Sequence, residues 1–186
     1  RRGRQHRQGE AGAGLGGRGP GAGGGIDALD IGAVSSDLAG AGWTVARVVQ
    51  PYRVKGRRAP EAPPRLDAAW ISVLSALAKE RNGRLVVSGR SSGARVAVRT
   101  ATAVGADAVV ALAFPLHPPG KREKSRADEL AALTVPSLVV QGARDAFGTA
   151  TELPLGTNVI EVPGDHSLKQ DTAAVVAAVT GWLASK

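Results

Sequence analysis

Three short stretches of this chain carry residue types suited to nucleophilic acyl chemistry. The first is LVVSGRSSGARVA, residues 85–97, where an apolar run meets Gly89-Arg90-Ser91-Ser92-Gly93 and an Ala/Val pattern continues beyond it. A serine hydroxyl is a weak nucleophile until a base takes its proton, and the base needs an acid to orient it. On a tight strand-to-helix turn the central residue, Ser91, is lifted above a sheet. Side chains at 89 and 93 would crowd neighbouring backbone there, and glycine at both positions relieves that crowding. The backbone N–H of Ser92, opening the helix, is then an oxyanion donor. The competing reading is a plain polar glycine turn. The apolar run before it and the small-residue helix after it favour the nucleophile.

The other two stretches supply the base and the acid. SLVVQGARDAFG ends an apolar run and presents Asp145, while NVIEVPGDHSLK ends another and presents His166. Nucleophile, acid and base thus follow one another along the chain, each just past its own strand-like run. The chain has three histidines. His6 lies in a glycine-rich head and His117 in a loop after ALAFPL, so His166 is the expected base. Asp145 could instead cap a helix. Asp165 is an alternative acid, disfavoured because adjacent side chains on a loop rarely face one another. Arg90 beside the nucleophile, His117 on a neighbouring loop and Arg53 on a strand-end loop are candidate substrate contacts, suited to an acidic or polar acyl group.

These residues need a scaffold that brings three strand ends together. Residues 27–43 have helical spacing of Leu29, Ala33, Val34 and Leu38, closed by Gly-Ala-Gly. TVARVVQ (44–50) reads as a strand. PRLDAAWISVLSALAKE is an amphipathic helix with Leu66, Trp70, Val73, Leu74 and Leu77 on one side. Then come the strand RLVVSG, a small-residue helix, the strand DAVVALAFPL, a basic Pro-rich loop and a short helix, ADELAAL. The strands PSLVVQG and NVIEVPG and a closing helix within KQDTAAVVAAVTGWLAS complete the chain. This alternation predicts an α/β fold: a mainly parallel sheet of about five recognisable strands flanked by helices. Near-continuous apolar strands are expected where both sheet faces are covered.

Composition narrows the function. The 186 residues include no cysteine, which excludes disulfides, thiolate metal sites and a cysteine nucleophile. No apolar run approaches the roughly 20 residues of a membrane span, and no apolar segment follows the basic residues at the start, so a soluble cytoplasmic protein is expected. The net charge of +8 resides partly in Arg1, Arg2, Arg4, Arg7 and Arg18, and partly in Arg53, Lys55, Arg57 and Arg58. Neither cluster has interleaved aromatics for base stacking, which argues against nucleic acid as a partner. G-x-G-x-x-G matches at Gly12, Gly14, Gly17 and at Gly19, Gly21, Gly24 lack the preceding apolar strand and the acidic residue of a dinucleotide site. No cofactor and no metal are expected.

Residues 1–20 read as a low-complexity head, expected to be disordered, and residues 21–186 as the domain. The head shows no strand pattern and is more like a shifted reading frame or misplaced start than part of a fold. From Gly21 onward, GAGGGIDALD, QPYRVKGRRAP, GRSSGARVA, ALAFPLHPPGKREKSR, LVVQGARDAFG and DHSL together resemble the α/β-hydrolase-like family of the testis-expressed and histone-acetyltransferase-complex-subunit type, related to dienelactone hydrolases. Pro20 stands where that family usually has histidine, and Ala146 where it often has proline. The resemblance implies an α/β-hydrolase fold, here with its N-terminal strands missing, and Ser91, Asp145 and His166 as nucleophile, acid and base. It also implies a second oxyanion donor from the glycine loop 21–24, at the backbone of Ala22 or Gly23. The expected reaction is hydrolysis of a small ester or thioester through an acyl-enzyme. The rival expectation is a non-catalytic member of the same fold serving as an interaction scaffold.

Overall fold

Short Val/Leu/Ala runs bounded by glycine or proline form the central strands here because helices cover one face of the sheet and other helices the opposite face. The computed structural model describes residues 10–15 as a strand, together with residues 28–57 and 60–186. The strands are β1 (Glu10–Leu15), β2 (Trp43–Val48), β3 (Leu85–Arg90), β4 (Ala108–Leu112), β5 (Ser137–Gly142) and β6 (Val159–Val162). All pairings are parallel, in the order β2-β1-β3-β4-β5-β6. The helices are α1 (Leu29–Gly40), α2 (Pro51–Val54), α3 (Pro63–Leu77), α4 (Ser92–Thr100), α5 (Ala127–Ala131) and α6 (Thr172–Ala184).

The core has two halves, one on each side of the sheet. Val87, Val109 and Val139 face a cluster with Leu66, Trp70 and Leu74 of α3 and Val96 and Ala97 of α4. Val86, Val110, Leu138 and Val140 face the other, with Val34 and Leu38 of α1 and Val175, Val179 and Leu183 of α6. Each such side chain contributes about 1.5–3 kcal/mol on burial. The central strands are therefore well anchored; Ser91 follows β3 directly, Asp145 lies in the loop after β5, and His166 lies in the loop after the edge strand β6. Among the described residues, no helix is long and apolar enough to cross a membrane.

The five strands expected from the sequence are present, and one more is added. No strand was expected within residues 1–20, yet β1 lies there, between β2 and β3. It pairs with β2 from Glu10↔Trp43 to Leu15↔Val48 and with β3 from Ala11↔Leu85 to Ala13↔Val87. A strand with neighbours on both sides is specified by the backbone groups it satisfies. A sequence of glycine and alanine offers no side-chain period by which to read it. Two helix faces also differ from expectation. Leu29 is exposed on α1, where Asp30 and Ile31 are buried instead, and Val73 and Leu77 of α3 are partly exposed at its margin.

Candidate active site

β3 runs into α4 with a single residue between them, and that residue is Ser91. Its backbone has φ 55° and ψ −118°, a region that costs a non-glycine residue of order 1–3 kcal/mol. The turn is possible because Gly89 has no side chain: a Cβ there would sit 2.4 Å from the carbonyl carbon of Gly93. The Ser91 N–H donates to the Leu112 carbonyl at the end of β4 (3.0 Å), fixing the turn to the neighbouring strand. Ser92 opens α4, so its N–H is among those at a helix start with no intrahelical acceptor.

Asp145 follows β5, and its side chain is fully buried. Oδ1 accepts from the Phe147 N–H at 2.8 Å, and Oδ2 accepts from Gln141 Nε2 at 2.9 Å. His166 follows β6. Its loop comes close to the end of β5 because Gly142 leaves room; a Cβ at Gly142 would lie 2.5 Å from the Asp165 carbonyl oxygen. His166 Nδ1 stands 2.8 Å from Asp145 Oδ2, and His166 Nε2 stands 2.8 Å from Ser91 Oγ. A carboxylate beside Nδ1 assigns the proton to that nitrogen, which leaves the Nε2 lone pair to accept from the serine hydroxyl. The Phe147 ring stacks on the imidazole at 4.1 Å between centroids. Asp165, the alternative acid, is turned elsewhere: its Oδ1 accepts from the N–H and hydroxyl of Ser167, which hold its carboxyl below the usual range.

The remaining sequence candidates are placed differently. Arg90 and His117 were expected to meet substrate, but both are buried against partners of the protein itself. Arg90 is ion-paired with Asp30 at 3.4 Å and donates to the Ser167 carbonyl at 3.1 Å. His117 has Glu152 Oε2 at 2.8 Å from Nε2 and the Pro118 carbonyl at 3.0 Å from Nδ1. With an acceptor at each ring nitrogen, its pKa is raised, chiefly by the Glu152 hydrogen bond. Arg53, at the end of α2, lies with its guanidinium 5.2 Å from the Tyr52 ring centroid. His6 and the oxyanion candidates Ala22 and Gly23 lie outside the described residues.

Gln141 and Phe147 were not singled out from the sequence. Gln141 is fully buried, and its Nε2 lies within reach of the Asp145 carboxylate and of the Phe114 and Gly148 carbonyls. The available signal was a polar side chain closing an otherwise apolar strand. Phe147 is one of only two phenylalanines in the chain and stands two residues past Asp145.

A family profile of alpha/beta hydrolase domains matches residues 19–176. Comparison with curated proteins gives no match. Among solved structures the chain is similar to an a/b serine hydrolase without a lid from Xanthomonas campestris. Identity is 19% and the TM-score 0.70, over 92% of this chain and 82% of that one. It is also similar to Est1E from Butyrivibrio proteoclasticus with ferulic acid bound, at 14% identity and TM-score 0.72, over 96% and 89% of the two chains. An alpha-beta serine hydrolase homologue from Coxiella burnetii matches at 15% identity and TM-score 0.69, over 90% and 83%.

Proposed function

The chain belongs to the alpha/beta hydrolase domain family, and from that premise we propose that it is a serine hydrolase cleaving a small ester or thioester through an acyl-enzyme. The observation that carries this reading is the hydrogen-bonded chain Ser91–His166–Asp145, with Ser91 on a strained turn at the end of a central strand. Within the family we assign the chain to the branch related to dienelactone hydrolases, on GRSSGARVA, LVVQGARDAFG and DHSL.

In the proposed reaction Ser91 Oγ attacks the substrate carbonyl carbon while its proton passes to His166 Nε2. The carbonyl π pair moves onto oxygen, and the Ser92 N–H stabilises the oxyanion. Asp145 holds the imidazole in place and balances the charge of the imidazolium. The intermediate collapses, the C–O or C–S bond breaks, and His166 returns its proton to the departing alkoxide or thiolate. Water then attacks the acyl-Ser91 carbonyl, giving up a proton to His166, and Ser91 leaves with that proton restored. Losing a single oxyanion donor costs about 10²–10³ in rate in enzymes of this type.

The base assignment is tested by comparing His166→Ala with His117→Ala in hydrolysis of p-nitrophenyl acetate. His166→Ala is expected to lose about 10³-fold or more of kcat. His117→Ala is expected to keep kcat within about tenfold, because its ring is bound to Glu152 rather than to Ser91. The reverse ranking, with both variants folded, contradicts the reading.

A further inference from the structure

Arg90 immediately precedes Ser91, and Ser167 immediately follows His166. The Arg90 side chain, 3% exposed, reaches from the nucleophile turn across to the histidine loop, where Nη1 donates to the Ser167 carbonyl at 3.1 Å. Its Nε lies 3.4 Å from Oδ2 of Asp30, a fully buried carboxylate in the first turn of α1. Burial pushes the Asp30 carboxyl up, and the Arg90 charge is the main influence in the opposite direction.

A buried ion pair is a weak source of stability, because the cost of removing two charges from water can exceed their attraction. A pair of apolar side chains would fill the same space at less risk. What an apolar pair could not do is hold a carbonyl of the histidine loop at a fixed distance from the serine turn. The guanidinium can, because its donors are rigidly disposed and Asp30 fixes its orientation.

We infer that Arg90 is a positioning residue, a clamp that sets the separation of the Ser91 turn from the His166 loop, with Asp30 as its anchor. The inference rests on the serine-hydrolase reading, since the distance being held is the one across which the serine proton moves. Among the described residues, Arg90 reaches Asp30 and the Ser167 carbonyl rather than Ser91 Oγ or the His166 ring. Its loss acts through His166, by lengthening or misaligning the contact with Ser91 Oγ.

The test is steady-state hydrolysis of p-nitrophenyl acetate, with thermal melts, for wild type, Ser91→Ala, Arg90→Lys and the double variant Asp30→Asn/Arg90→Met. Arg90→Lys keeps the charge opposite Asp30 but cannot hold Asp30 and the Ser167 carbonyl together. The double variant leaves no buried charge without a partner, so it isolates the lost clamp from an electrostatic penalty. Both are expected to lose about ten- to a hundredfold in kcat with KM within about twofold, the pattern of a misplaced reacting group rather than of weakened binding. A merely structural role would show as a lowered melting temperature with kcat of the folded protein intact. Wild-type kcat in folded Arg90→Lys or in the folded double variant overturns the clamp. If the double variant does not fold, the kcat of Arg90→Lys decides between the same two outcomes. Turnover that survives Ser91→Ala overturns the hydrolase reading, and the clamp with it. Turnover lost in Ser91→Ala but unchanged in Arg90→Lys overturns the clamp alone.

Discussion

A serine hydroxyl works as a nucleophile only where several neighbours are fixed, and two glycines do that fixing here by absence of a side chain. Gly89 lets the backbone of Gly93 close over the turn, and Gly142 lets the loop carrying His166 approach the end of β5. Alanine at either place would put a Cβ about 2.5 Å or less from backbone atoms that cannot move away. Gly89→Ala is therefore expected to destabilise by more than about 4 kcal/mol or to prevent folding, measured by denaturant unfolding. A loss under about 1 kcal/mol would mean the turn is looser than described. Gln141 makes a subtler contribution. Gln141→Leu leaves Asp145 Oδ2 and two carbonyls without their shared donor, at about 1–3 kcal/mol in stability. It is also expected to lower kcat about tenfold through a less firmly held acid. Full activity in the leucine variant would show that Gln141 has no part in holding the acid.

Helices hold the strand ends in place, and on the α4 side they do so with charge as well as apolar contact. Arg99 of α4 makes a two-point contact with Asp67 of α3, at 2.9 and 2.6 Å, and reaches Glu129 of α5 at 3.4 Å. Arg95, one turn earlier, pairs with Glu129 as well. Desolvation works against the Arg99 charge, but Asp67 and Glu129 prevail and raise its pKa. A double-mutant cycle with Arg99→Met and Asp67→Leu is expected to give a coupling of about 1–2 kcal/mol. A value indistinguishable from zero would make the network surface decoration. How much of this was readable from the sequence depends on how the information is written there. Strands β3, β4 and β5 were legible because they are buried on both faces and so are nearly continuously apolar, while the edge strands β2 and β6 were legible as short β-branched runs bounded by turn residues. Ser91, Asp145 and His166 could be singled out as candidates because their types and order are restrictive, and the structure brings their side chains within hydrogen-bond distance. Asp30 was not: a carboxylate beside Ile31 on an amphipathic helix reads as a solvated first-turn acid, and only the position of Arg90 in space explains its burial. The internal partners of Arg90 and His117 were not legible for a related reason, since the sequence does not show which groups are neighbours in space.

Across the molecule as a unit, the sheet depends on β1, which joins β2 to the remaining strands. Removing residues 1–15 is expected to leave β2 without a partner strand, to expose one edge of β3 and to abolish cooperative unfolding; a truncated protein that melts like the full chain would contradict the strand order. Stability should also vary with pH in a defined sense. Glu152 and Asp165 have lowered pKa values, each held chiefly by a hydrogen bond, from His117 and Ser167 respectively. Their stabilisation is present above their ordinary values of 4.5 and 3.8, and is lost as pH falls through the lowered ones. His117 is raised above 6.5, so its contribution is complete below that pH and is lost as pH rises through the raised value. Asp30, raised by burial, works against the fold as pH rises through its own value. His117→Asn should therefore flatten the loss of melting temperature above about pH 6.5, and an unchanged alkaline limb would contradict that assignment. Whether the assembled molecule activates Ser91 is decided by treating the intact protein with a fluorophosphonate and mapping the modified residue by mass spectrometry. The expected result is a single adduct on Ser91, retained in Ser92→Ala and absent in Ser91→Ala and after unfolding. No adduct on the folded protein, or one on another serine, would contradict an activated Ser91.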